Sequence, residues 1–440
     1  MGLSSAPGIL KMPSFKPSAS KRFNACFAVL LVLQMMPQPA LAEHGVVRDQ
    51  RLGGPNSVNG ELDQAEEIVE AFRTDNRKVH LKSWYDWKKS LKEKYGFNFG
   101  INASLLYESA SDVLREEDSA AGGIYRLQGD WMLVGRGTGN AGGIIFRVEN
   151  RSQVGSGIPP ASLRAEMGLA ATDPGFAYSD NFGTDFAVLA WQQGFGKERS
   201  RAAFAVGLLD FSAYLDAFYF QTIGRGFLNR SFILSPTVAT TGIGAVGGVA
   251  RGMLTDSWWL GAGFYDANAK SGDPSAGDFK WDELLKHVEV GFTPSLTRRG
   301  TDRIQLTYWH KDALPARKTT SGRGWLLSWS WLMNDHYVPF ARAGYSDGGA
   351  GVLASASLAA GVARRLNHQD WVTVGVGWNK PSKQTYRYAK DDEKVLEASY
   401  LWQLTANTSF LFDIQYIASP ALNPGVSSSW VGGLRMRLAL

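Results

Sequence analysis

Residues Ser428–Leu440 read SSWVGGLRMRLAL. Trp430, Gly432, Leu434, Met436, Leu438 and Leu440 fall on one side of a two-residue repeat. Arg435 and Arg437, with the small residues Gly433 and Ala439, fall on the other. Successive side chains of a strand point to opposite faces. The stretch is therefore expected to be a β-strand with one apolar face and one face that carries two guanidinium groups.

The same period recurs towards the N-terminus. SFLFDIQYIAS (Ser409–Ser419) and LEASYLWQL (Leu396–Leu404) keep Glu397, Ser399, Gln403, Asp413 and Gln415 on the polar side. WVTVGVGW sets Val372, Val374, Val376 and Trp378 against Thr373, Gly375 and Gly377. RIQLTYWHK sets Ile304, Leu306 and Tyr308 against Gln305, Thr307 and Lys311, and HVEVGF sets Val288, Val290 and Phe292 against Glu289. GGIIFRVEN sets Ile144, Phe146 and Val148 against Arg147 and Glu149. The pattern starts at FNFGINASLLY, with Phe97, Phe99, Ile101, Leu105 and Tyr107 on one face. About sixteen such segments follow one another, each near the roughly 9–11 residues that a tilted strand needs to cross a bilayer.

Alternation by itself also fits a soluble sandwich. Sixteen strands are too many for one compact sandwich, however. The polar side would hold Arg147, Glu149, Arg342, Glu397, Asp413, Arg435 and Arg437, which suits a watered lumen. An arginine turned to lipid at mid-depth costs about 2–4 kcal/mol, and the alternation keeps arginines off the apolar side. Open sheet edges cannot persist in hydrocarbon. The expected fold is all-β: a closed antiparallel transmembrane β-barrel of about 16 strands with a short helical N-terminal segment. Arg147, Glu149, Arg342, Glu397 and Arg435 are the candidates for the lumen wall and substrate path.

The first 42 residues read as a secretory signal peptide. Lys11, Lys16, Lys21 and Arg22 precede the apolar run Phe23–Met36, and Ala40–Ala42 offers a small-x-small cleavage site. Removing those four positive charges lowers the formal net charge from +5 to +1, which leaves no electrostatic case for nucleic-acid binding. The single cysteine, Cys26, leaves with the peptide. Residues 43–96 form a polar lead followed by two short amphipathic helices. Leu62, Ala65, Val69 and Phe72 mark the first, within Glu61–Phe72; Trp84, Trp87, Leu91 and Tyr95 mark the second. They are expected on the periplasmic side or against the barrel. The barrel itself is expected over 97–440.

Two stretches resemble the carbohydrate-selective porin (OprB-type) family of bacterial outer membranes. One is ARGMLTDSWWLGAGFYDANAK (Ala250–Lys270). The other is VLEASYLWQLTANTSFLFDIQYIASPALNP (Val395–Pro424), followed by WVGGLRMRL. The entry near WYDWKKSLKEKYGFNF is similar to the family's first strand. The resemblance implies a 16-stranded outer-membrane channel that admits small sugars into the periplasm by passive diffusion. It also implies outer-membrane lipid and the barrel-assembly machinery as partners, with the chain a monomer or a homotrimer. The C-terminal strand resembles the signal that this machinery reads, and Leu440 stands where such strands carry an aromatic residue.

Other chemistries find little footing. Gly242, Gly244 and Gly247 have G-x-G-x-x-G spacing, but a β-patterned run follows rather than a helix. The six histidines are scattered and show no ligand spacing. No cofactor or metal is expected. No serine pairs with a histidine by motif, so no catalytic residue is assigned and an outer-membrane barrel enzyme is the weaker alternative. A channel for other small solutes, such as acidic sugars or aromatic acids, is the nearer one.

Overall fold

The computed structural model describes residues 52–67, 75–155, 157–178, 183–197, 199–273, 279–366 and 370–440. The stretch read as a signal peptide lies outside these residues. Sixteen antiparallel strands close into one barrel. They are β1 (Phe97–Ala110), β2 (Ser119–Val134), β3 (Gly142–Gln153), β4 (Gly183–Phe195), β5 (Ala202–Leu209), β6 (Ala245–Met253), β7 (Trp258–Asp266) and β8 (Leu284–Phe292), then β9 (Arg303–Lys311), β10 (Gly322–Ser330), β11 (Tyr337–Ser346), β12 (Ala354–Arg365), β13 (Trp371–Pro381), β14 (Glu393–Gln403), β15 (Thr408–Ala418) and β16 (Ser428–Ala439).

The seam is made by the C-terminal stretch Ser428–Leu440. β16 pairs with β1 from Asn102↔Ala439 to Ala110↔Val431. Leu440 extends the ladder: its N–H donates to the Ile101 carbonyl at 2.8 Å, and the Ile101 N–H donates to the Leu440 carbonyl at 3.0 Å. Closure leaves no edge strand, which is the condition for β-structure in lipid.

The burial pattern runs opposite to that of a soluble protein. Ile101, Leu127, Leu306, Leu327, Ile414 and Leu434 are exposed on the outer face, while Arg126, Arg147, Glu289, Arg342, Glu397 and Arg435 are buried inside. An apolar outside and a polar inside define a barrel solvated by hydrocarbon. Outward rings form a girdle at each end. Trp258 and Phe292 meet at one end (centroids 5.4 Å apart), and Tyr416 and Trp430 at the other (4.9 Å).

The connections are unequal. Short turns such as 196–201, 254–257 and 404–407 lie at the end where β1 begins, and the long connections 154–182, 210–244 and 267–283 lie at the opposite end. Short turns mark the periplasmic side and long loops the outside in barrels of this class.

Two helices precede β1: α1 (Val58–Glu67) and α2 (Asp75–Tyr95). α2 lies against the outer face of β1 at its periplasmic end. Trp84 and Trp87 each sit 5.7 Å from the Phe99 ring. Gly96 ends the helix with φ +70°, a left-handed conformation that glycine adopts without steric cost, and its N–H donates to the Lys92 carbonyl. α1 is placed differently: it enters the barrel. The expected helical span, Glu61–Phe72, overlaps α1 only over Glu61–Glu67; residues 68–74 lie outside the described residues.

Candidate functional site

The lumen is built by what has been inserted into it. The first insert is Leu52–Glu67. Leu52, Val58 and Leu62 are buried, as an apolar stripe demands. Glu61 sits one position from Leu62 and is buried too, because the wall opposite supplies cations. Its carboxylate accepts from Arg126 Nη1 at 2.5 Å, Gln128 Nε2 at 2.8 Å and Asn102 Nδ2 at 3.2 Å, with Arg147 Nη2 at 3.5 Å. Burial alone raises the pKa of Glu61; Arg126, Arg147 and Arg437 outweigh it and hold the carboxyl below the ordinary glutamate value. Arg147 also donates to the Asn56 carbonyl at 2.8 Å, and Arg251 to the Leu52 carbonyl at 2.7 Å. Gly54 lets this insert pass the second one closely, since a Cβ there would stand 2.7 Å from the Ala217 Cβ.

The second insert is the β5–β6 connection, 210–244, which crosses the lumen. A cluster of rings stiffens it: Phe218, Phe220, Phe227 and Phe232 pack against Phe340 of β11. Asp216 anchors its middle. The carboxylate accepts from Arg342, from Gln305 at 2.7 Å and from Ser328 at 2.9 Å, while the backbone N–H donates to Glu289. Asp216 adopts φ +50°, unusual for a residue with a side chain, and these four partners hold it there. Further along, Glu397 accepts from the N–H groups of Leu228 at 2.6 Å and Asn229 at 3.2 Å. Arg435 donates to the Arg225 carbonyl at 3.1 Å.

The third insert is part of the β3–β4 connection, 154–182. Glu393 of β14 accepts from the N–H groups of Ala170, Ala171 and Thr172 at 2.7, 2.9 and 2.7 Å.

Each residue singled out from the sequence thus points inward and is engaged. Arg147 and Glu149 meet in one network through Arg126, which bonds to Glu149 and to Glu61. Arg342, Glu397 and Arg435 hold three separate points of the β5–β6 connection. The alternation does not single out Glu61 or Asp216, because neither lies on a strand. The one signal for Asp216 is the length of the gap between two strand patterns, filled with apolar rings where a solvent-exposed loop would be polar.

Above the inserts, facing the long loops, lies a cavity of about 940 Å³. Asn56, Arg126, Asp210 and Ser212 form its floor side; Phe176, Gln221 and Arg230 are among its walls. Among the described residues no group of histidine, cysteine and carboxylate side chains is arranged to hold a metal ion.

The fold and this inside-out wall define the class: a porin-type β-barrel of a Gram-negative outer membrane. Residues 302–440, which span β9–β16, match the family described as carbohydrate-selective porin, OprB family. The match includes Val395–Pro424 but not Ala250–Lys270. A solved structure of Pseudomonas putida OprB at high pH is similar with a TM-score of 0.64 at 12% identity, covering 81% of this chain and 97% of that one. Its low-pH structure gives a TM-score of 0.45 at 11% identity over 81% and 97%. A mutant of Rh. blastica porin gives 0.47 at 11% over 78% and 100%. No curated protein matches the chain.

Proposed function

We propose that this outer-membrane channel passes small carbohydrates by passive diffusion and prefers them to other solutes of the same size. The observation that carries this reading is the family match over the C-terminal half of the barrel. The vestibule is consistent with it. A sugar needs hydrogen-bond partners for its hydroxyls and flat apolar surface for its C–H faces. Asn56, Ser212 and Gln221 supply the first and Phe176 the second. Such contacts bind weakly enough to release the solute, which conduction requires.

In this reading Arg147, Glu149, Arg342, Glu397 and Arg435 set the aperture by fixing the inserts. They act as positioning residues. Reconstitution into planar bilayers tests the proposal: stepwise conductance that glucose or short oligosaccharides reduce is expected. Conductance that no sugar reduces refutes the preference for sugars. Changing Arg147, Glu149, Arg342 and Glu397 together to alanine is expected to raise conductance and alter ion selectivity. Unchanged values would remove these residues from the wall.

A further inference from the structure

The cations around the vestibule are unequally matched. Arg115 pairs with Glu166 at 3.6 Å, and Arg151 with Glu149 at 2.6 Å. Arg126 is held between Glu61 and Glu149. The others donate to neutral oxygens. Arg164 Nη1 donates to the Ala170 carbonyl at 3.1 Å and the Tyr386 hydroxyl at 2.5 Å. Lys311 Nζ donates to the Thr240 carbonyl at 2.7 Å, and Arg317 to the Asn268 carbonyl.

Arg230 stands out among them. It begins a short helical turn, Arg230–Ile233, in the β5–β6 connection. It is 7% exposed, it lines the cavity, and its Nε finds no hydrogen-bond partner. Its guanidinium lies 4.7 Å from the centre of the Phe176 ring. Burial lowers its pKa to about 10; Asp173 opposes that shift and Arg164 adds to it. The group therefore stays charged at neutral pH. Among the described residues, no carboxylate stands within 4.0 Å of Arg164, Arg230, Lys311 or Arg317.

We infer that the vestibule is a site for sugars that carry a carboxylate, such as aldonates and uronates, with Arg230 receiving the carboxylate beside the Phe176 ring. The inference rests on the sugar-channel reading above and narrows its substrate class. The lining holds more cations than carboxylates, with Asp173 the carboxylate that acts on both Arg164 and Arg230. Such an excess in a low-dielectric cleft focuses a positive potential and raises the local concentration of anions. A carboxylate supplies acceptors that a buried guanidinium lacks, and such charge-assisted bonds are stronger than those to a hydroxyl. The Phe176 face beside it fits the apolar side of a pyranose ring. Asp173 keeps the site from holding an anion too firmly to let it pass.

The test uses the full chain in planar bilayers with gluconate, glucuronate and glucose as probes. A potassium chloride gradient is expected to give a reversal potential of the sign for anion preference. Gluconate should half-saturate the channel at a concentration about tenfold below glucose, the size of one charge-assisted bond. Arg230→Gln should raise the gluconate value far more than the glucose value and so remove that advantage. Arg230→Lys should keep part of it. Should Arg230→Gln fail to fold, the exposed Arg317→Ala reads the same potential and should lower both anion preference and the advantage of gluconate. Equal half-saturation by gluconate and glucose in the unmodified channel overturns the inference and leaves the sugar reading standing. A conducting channel on which neither sugar acts overturns both. Arg230→Gln and Arg317→Ala channels that keep the full gluconate advantage overturn the assignment of the site.

Discussion

The inner wall holds its inserts in two ways. On the β1–β3 side, one side chain of the insert, Glu61, is gripped by the wall side chains Arg126, Arg147, Gln128 and Asn102. On the β14 side the wall supplies the carboxylates Glu393 and Glu397. These grip backbone N–H groups of Ala170–Thr172, Ala421, Leu228 and Asn229. The first mode needs a particular residue on both partners. The second needs only a backbone path, so the loop's side chains remain available for the vestibule. Arg230 lies one residue beyond the segment that Glu397 holds.

Asp216 combines both modes, and its loss should have the largest effect. Asp216→Ala leaves the buried Arg342 without its carboxylate, at a cost of about 3–5 kcal/mol. It also puts alanine at φ +50°, at a further cost of about 1 kcal/mol or more. Asp216→Gly also removes the carboxylate but adopts that backbone conformation freely, so the difference between the variants reports the strain. Urea unfolding in detergent, read by the mobility of the folded barrel on gels, measures both. The two variants behaving alike would show that the conformation at Asp216 costs nothing.

Glu61→Gln breaks the side-chain mode alone. Removing one charge from a buried ion cluster costs about 3–5 kcal/mol, and here the loss falls on docking of α1 rather than on the barrel. Larger conductance with an unchanged unfolding midpoint is expected. Acid should act the same way. The folded pKa of Glu61 is held below 4.5, so its contribution is complete above the unfolded value and is lost as pH falls through the lower, folded one. Conductance should rise in that window below the ordinary glutamate value, and Glu61→Gln should abolish the rise. Cysteine substituted at Leu52 offers a second readout, since the chain's one cysteine, Cys26, precedes the barrel. Its thiol should react faster in the Glu61→Gln background.

These two modes also mark what a sequence reveals. The barrel was legible because a strand in lipid has to alternate, and Arg435 and Arg437 opposite Leu434 and Met436 leave one possible orientation. The inserts were not. A loop folded into a lumen has no period, and its anchors are tens to hundreds of residues away: Glu61 lies 65 positions from Arg126 and Asp216 lies 126 from Arg342. Arg147 and Glu149 could be assigned to the inner face, but not to the helix they hold. The helical spacing of Leu62 and Ala65 says which side of α1 is apolar, not that the helix enters the lumen, where Leu62 joins an apolar cluster with Ile145 and Val188 of the wall and Glu61 meets the arginines.

The backbone mode should tolerate more. Glu397→Gln keeps one acceptor oxygen for Leu228 or Asn229 and loses the other, so about 0.5–1.5 kcal/mol, one hydrogen bond, is at stake. The expected readout is increased current noise from a loosened β5–β6 connection, with the unfolding midpoint lowered less than by Asp216→Ala. Alanine substitution at Leu228, which keeps the N–H, should leave this anchor intact. If Leu228→Ala loosened the loop as much as Glu397→Gln, the anchor would reside in packing around Leu228 and not in the backbone bond.

The smallest effect is expected where charge pairing occurs without burial. Arg201 and Asp256 join two periplasmic turns at 2.7 Å, the same distance as Arg251–Glu289 on the inner wall, yet their side chains are 50% and 90% exposed. Water already solvates both charges there, so their attraction replaces hydration of nearly equal strength, and ordering two side chains offsets part of the rest. Exposed pairs contribute about 0.2–1 kcal/mol. Arg201→Ala should therefore shift the urea midpoint little, and added salt should remove what shift there is. A loss as large as that of Glu61→Gln would mean that proximity alone, and not the exclusion of water by the inserts, gives the lumen pairs their strength.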